Sequence, residues 1–384
     1  MTSNSTEQRV IHVTGLTVLL QILEHHVPLS LGINKSVTPI WYVFGVIGNV
    51  TSAFIWLNKR LRKCNNAAFY LASLAVTDLI FLILHLFYEL QNPWLLGSLN
   101  VQGWCQIWNM LYMAAGYTCV LLVFAFTFER FLSICHPFRS ERFSTSSRSL
   151  RVIASIVCLC LVLATPQLYF WTMTSKGECQ VRMSELIKME NSFYSIWTWG
   201  SEMIMFGVIP LIVLFLNICV LRKVRYIGQL KMSDSCTNGN LRYKPITITL
   251  LWVSFFLIFT TLPVTITFTL QTKITLGPAL TMQEIGHDPA WQAYFSYYMA
   301  RTIIKEIGLS HHACNMIIYC LTSQKFRAHI CRLLLGPGVT CGQNSSSNSD
   351  QKEQEFNSGR HITLTPMPIV KNGSRAVLLA KDLK

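Results

Sequence analysis

The sequence predicts an all-α membrane protein: a bundle of seven transmembrane helices followed by a short amphipathic eighth helix. Three observations predict it. Seven apolar runs are each long enough to cross a bilayer, only 13% of the residues are charged, and basic clusters fall in alternate loops. Soluble domains carry about 25% charge, so the deficit points to lipid as the solvent for much of the chain.

Crossing the hydrocarbon core takes about 20 apolar residues. Runs of that kind lie at 37–57, 67–90, 105–133, 151–171, 196–221, 246–271 and 295–321. Helices are required there, because backbone groups in lipid must pair within their own segment. The seventh run is the least apolar and contains Arg301, Lys305 and Glu306. Around the bundle, residues 1–36 read as an outer N-terminal tail, 322–335 as the amphipathic helix and 336–384 as a disordered cytoplasmic tail.

Loop charge sets the orientation. The first loop holds Lys59, Arg60, Arg62 and Lys63, the third Arg139, Arg142 and Arg148, and the fifth Arg222, Lys223, Arg225 and Lys231. The even-numbered loops are close to neutral. The positive-inside rule then places the N-terminus outside and the C-terminus in the cytoplasm of a plasma-membrane protein. The net charge of +14 is thus spread over loops, which argues against a nucleic-acid partner. Asn4 and Asn34 head glycosylation triplets in the expected outer tail.

Of 13 cysteines, this topology leaves Cys105 and Cys179 at the outer face. Disulfides persist outside the cell, so the two are expected to bond, with a pair of unlinked thiols as the alternative. Charges inside spans also ask for a reason, since each costs at least about 2.5–3.5 kcal/mol on insertion scales. Asp78 sits mid-span and should face the interior, where Asn49 and Asn315 can bond to it. Glu129 and Arg130 end the third span. Glu89, Glu202, Arg301, Lys305 and Glu306 lie in outer halves, where snorkelling and helix–helix bonding compete with ligand contact.

These residues resemble the rhodopsin-like (class A) G-protein-coupled receptors over about residues 37–335. Gly48-Asn49, Leu74-Ala75-Val76-Thr77-Asp78, Cys105, Glu129-Arg130-Phe131, Cys135-His136-Pro137, Pro166, Pro210, Pro263 and Asn315-Met316-Ile317-Ile318-Tyr319 fall in the family's order. His311-His312-Ala313-Cys314-Asn315 and Thr260-Thr261-Leu262-Pro263 are similar to invertebrate neuropeptide (FMRFamide-like) receptors. There are departures. Thr261 stands for the usual tryptophan of span six, Met316 for a proline, and no acid faces Arg130 from the inner end of span six.

The resemblance implies a receptor for an extracellular peptide that activates a heterotrimeric G protein, with arrestin and membrane lipid as further partners. It implies coupling through Glu129, Arg130, Phe131, Pro137 and Tyr319, and a polar hub of Asn49, Asp78 and Asn315, with a sodium ion as a candidate occupant and no other cofactor. Pro263 would be the hinge of span six. Tyr112 and Leu309 stand where amine receptors and opsins carry their ligand-pairing residues, which disfavours both classes. The candidate peptide contacts are Tyr88, Glu89, Tyr112, Phe268, Gln271, Arg301 and Lys305.

Two rival classes are a seven-span transporter and a membrane enzyme; a small-molecule receptor of the same fold is a third reading. No internal repeat supports transport. No HExxH motif supports hydrolysis, and the adjacent His311 and His312 are expected on different helix faces, unable to share a metal easily.

Overall fold

A computed structural model describes residues 16–59, 67–91, 93–136, 146–175, 177–187, 192–233, 244–271, 274 and 276–335. Its helices are α1 (Leu16–His26), α2 (Pro28–Trp56), α3 (Ala67–Gln91), α4 (Trp104–Cys135), α5 (Ser146–Ala164), α6 (Gln167–Phe170), α7 (Met183–Ile187), α8 (Phe193–Glu202), α9 (Ile209–Ser233), α10 (Lys244–Gln271), α11 (Met282–Ile285), α12 (Pro289–Ala313), α13 (Asn315–Thr322) and α14 (Gln324–Leu335). A π-helical segment, Met203–Val208, joins α8 to α9.

Six of the spans, from α2 to α10, are long and apolar enough to cross a membrane. The seventh, α12, carries Arg301, Lys305 and Glu306 within any 18 consecutive residues, as its composition foretells. Large apolar side chains such as Phe54, Ile83, Val162, Phe215 and Phe259 stand on the outside of the bundle. That placement suits hydrocarbon as the surrounding solvent. α4 lies centrally, packed on α3, α5, α9 and α10, while α2 packs on α3 and α12. Leu71, Leu74, Val123, Phe126, Val213, Val253 and Leu257 fill the middle. The helices approach closely where side chains vanish: a Cβ on Gly308 would collide with Val264.

Several expectations need correction. Helical structure begins at Leu16, and the first span begins at Pro28 and not at residue 37. Proline suits this start, because its missing N–H would have no partner in a first turn. α1 buries Ile22 and Leu23 against Ile285, Trp291 and Phe295, so residues 16–36 are folded onto the bundle. The last span begins at Pro289 under an Asp288 cap and breaks at Cys314, splitting α12 from α13 without a proline. Between α6 and α7, two three-residue strands pair antiparallel, β1 (Trp171–Met173) with β2 (Cys179–Val181). Their turn uses Gly177 at φ +76°, a region glycine enters without strain.

Pro210 explains the π segment. It has no N–H for the carbonyl of Phe206, four residues earlier. That carbonyl instead accepts a 2.9 Å hydrogen bond from the Thr265 hydroxyl, which ties the segment to α10.

Candidate functional site

The Cys105–Cys179 disulfide joins the start of α4 to β2, with Cα atoms 5.7 Å apart. Toward this end of the bundle, a cavity of about 210 Å³ opens between α3, α4, the π segment, α10 and α12. Its walls include Phe81, His85, Tyr112, Met113, Glu202, Met203, Phe206, Thr261, Phe268, Lys305 and His312. A ladder of rings forms one side. Tyr112 stacks on Trp108 and on Phe81, each at 5.0 Å, and Phe81 stacks on His312 at 3.9 Å. Thr261, standing where a tryptophan was expected, leaves room here and turns its hydroxyl back to the Leu257 carbonyl at 2.8 Å. Pro263 lies inside α10, one turn before Thr267.

A second cavity of similar size adjoins α1, lined by Leu19, Leu23, Asn34, Tyr88, Tyr298, Arg301 and Lys305. Lys305 therefore borders both. Its ammonium pairs with Glu89, donates to Asn34 Oδ1 at 3.0 Å and lies 5.3 Å over the Tyr88 ring. The Asn34 amide in turn donates to Glu89 at 3.1 Å. Glu306 accepts from Thr38 at 2.8 Å. Asn34, the second glycosylation candidate, lies within α2, and its amide is held by Glu89, Thr38 and Lys305. Asn4, Pro137 and the 336–384 tail lie outside the described residues, as does the side chain of Gln271.

Deeper in the bundle, Asp78 is fully buried and both of its oxygens have partners. Cys119 and His312 meet Oδ1 at 3.2 and 2.7 Å, and Asn315 donates to Oδ2 at 2.7 Å. Asn49 bonds to the His312 carbonyl at 2.7 Å rather than to Asp78 itself. His311, His312 and Asp78 bring one ligand-type atom each to within 4.8 Å of one another. This corrects the expectation that the two histidines diverge. Their Cβ atoms do point apart, but the imidazoles reach back to a T-shaped contact at 5.1 Å.

At the far end of α4, Glu129 lies with Tyr70, Arg148 and Ser149 around a cavity of about 310 Å³. Phe131 packs edge-on against His136, and Tyr319 is buried between Trp56 and Phe326. No acid from α10 was expected here. Two hydroxyl bridges tie the helices instead: Thr127 to Ser254 at 3.1 Å, joining α4 to α10, and Thr322 to Thr249 at 2.9 Å, joining α13 to α10. Sequence reading missed them because threonine and serine inside an apolar run carry no charge signal.

Seven helices around a buried carboxylate, with a disulfide-bridged mouth, define a multi-pass membrane receptor fold. The family described as "7 transmembrane receptor (rhodopsin family)" matches residues 48–319, and the chain belongs to it. Members of this family are signalling receptors and not enzymes. The chain is similar to neurotensin receptor type 1 of Homo sapiens, 33% identical over 136 residues, which is 33% of this chain and 32% of that protein. It is 30% identical over 147 residues to the pyrokinin-1 receptor of Drosophila melanogaster, covering 36% and 33% of the two chains. C-C chemokine receptor type 4 of Homo sapiens is 25% identical over 299 residues, covering 76% and 75%. The match thus spans about a third of the length of the first two relatives.

Proposed function

We propose that the chain is a plasma-membrane receptor that binds a peptide at the disulfide end and activates a heterotrimeric G protein at the other. The observation that carries this reading is the cavity bordered by Tyr112, Phe268 and Lys305. It combines aromatic rings, an ammonium already paired with Glu89, and the Glu202 carboxylate. Such a wall suits an amphipathic peptide with charged or polar ends. The likeness to receptors named for neurotensin and pyrokinin supports the same ligand class.

In this reading the N-terminus is outside, Pro263 hinges α10, and bound peptide favours a state in which the far end of α10 swings away. That motion breaks the Thr127–Ser254 and Thr249–Thr322 bridges and opens a cleft beside Arg130 for the G protein. Arrestin engages the 336–384 tail once it is phosphorylated, and lipid surrounds the apolar belt.

The test is nucleotide exchange on G proteins in cells or membranes expressing the chain, screened with neuropeptides. Arg130→Ala should abolish exchange and leave surface expression intact. Full exchange by that variant would overturn the coupling role, and an epitope tag at the C-terminus detected outside intact cells would overturn the orientation.

A further inference from the structure

We propose that Asp78, His311 and His312 form a binding site for a divalent transition-metal ion of the zinc class. The site is independent of which ligand the receptor takes.

The donor set is the first ground. One carboxylate and two imidazoles stand with ligand atoms within 4.8 Å of one another, from α3 and the last turn of α12. Two histidines and a carboxylate on one face of an ion suit zinc and its neighbours, whereas hard cations prefer oxygen shells. The thiol of Cys119 adds a soft donor 3.2 Å from Asp78 Oδ1. Sodium fits this set poorly, because a hard cation prefers an all-oxygen shell and the groups gathered here are two imidazoles and a thiol beside one carboxylate.

The second ground is His311 itself. It is 1% exposed, and among the described residues neither ring nitrogen has a hydrogen-bond partner. A neutral imidazole carries one donor and one acceptor, and burying both unpaired is unfavourable. A metal ion satisfies the acceptor nitrogen directly. Nearby, Asn49 Oδ1 and Asn315 Oδ1 are also buried without partners.

The surroundings are built as metal sites are. Asn315 donates to Asp78 Oδ2 at 2.7 Å and so fixes the carboxylate from behind, and Asn49 holds the His312 carbonyl. His312 also lines the open cavity, which supplies a path for entry. A tetrahedral ion with bonds of about 2.0–2.1 Å sets its ligand atoms about 3.4 Å apart, so the imidazoles close inward on loading. The loaded site ties α3 to α12 beside the break at Cys314.

The experiment uses the full chain, purified in detergent, stripped with a chelator and titrated with Zn²⁺, Co²⁺, Mg²⁺ or Na⁺. Zn²⁺ should raise the melting temperature to saturation at one ion per chain, and Co²⁺ should give the visible absorption of a low-coordinate nitrogen-bound ion. His311→Ala and His312→Ser should each weaken Zn²⁺ binding at least about 10–100-fold, the range that loss of even an outer partner produces. His25→Ala and His287→Ala, both on exposed histidines, should leave binding unchanged. If His311→Ala fails to fold, His311→Asn serves in its place. A melting temperature unmoved by Zn²⁺, a shift that survives loss of both His311 and His312, or stabilisation by Na⁺ alone would each overturn the site.

Discussion

The Lys305 ammonium and the Glu89 carboxylate form an ion pair between α12 and α3, with Glu89 only 4% exposed and Lys305 28% exposed at its side chain. Removing one partner of a buried pair leaves the other charge unpaired. That loss costs about 3–5 kcal/mol. Lys305→Ala should sit near the lower end of that range, because water reaches the ammonium. Lys305→Met with Glu89→Leu should recover most of the loss. Thermal unfolding of the purified variants checks both outcomes, and a double variant no more stable than Lys305→Ala would refute the pairing as the cause.

The hydroxyl of Thr265 holds the carbonyl that Pro210 strands. Thr265→Val keeps the shape of the side chain and removes the donor, so the part-buried Phe206 carbonyl loses this hydrogen bond. The expected loss is about 0.5–1.5 kcal/mol, with Thr265→Ser close to the parent. Equal melting temperatures for the valine and serine variants would show that another group takes over the carbonyl.

Much of this fold was legible because hydrocarbon imposes a length on every span. The seven apolar runs, the buried Asp78 and the Cys105–Cys179 link all follow from that constraint and from which compartment tolerates disulfides. α1 was not legible, because its apolar stretch is too short to span and is followed by Glu24, His25 and His26. Its partner surface, Ile285 and Trp291, lies more than 250 residues away. The meeting of His311 with His312 was missed for a different reason. Helical phase fixes where Cβ points, but a long ring can turn back across that phase. The Lys305–Glu89 pair stood between two readings, since a charge in an outer half-span serves a ligand or a neighbour with the same residue types.

The bridges Thr127–Ser254 and Thr249–Thr322 hold α10 against α4 and α13. If outward motion of α10 is the activating step, weakening them should raise exchange without ligand. Ser254→Ala and Thr249→Val should each increase basal nucleotide exchange by about 3–10-fold, the effect of roughly 1 kcal/mol on a two-state balance. The double variant should exceed either one. Unchanged basal exchange at equal surface expression would separate these hydroxyls from the switch.

α1 should dock in a pH-dependent way. His26 stacks on Phe295 at 5.1 Å, and its Nε2 lies 3.1 Å from the Met282 carbonyl. Burial, and then the neighbouring His25, push its pKa below the ordinary 6.5, against the pull of that carbonyl. A base with a lowered folded-state pKa binds fewer protons folded than unfolded. Docking is therefore at full strength above about 6.5 and weakens as pH falls below it. Glu284 stays ionised throughout this window, because the Thr281 backbone and side-chain hydrogen bonds lower its pKa further. Trp291, fully buried in the same cluster, offers a local fluorescence probe. Acidification from pH 7.5 to 5.5 should increase its exposure to a soluble quencher, and His26→Phe should flatten the response. A wild-type profile that stays flat over this range would mean that α1 is held by Ile22 and Leu23 alone.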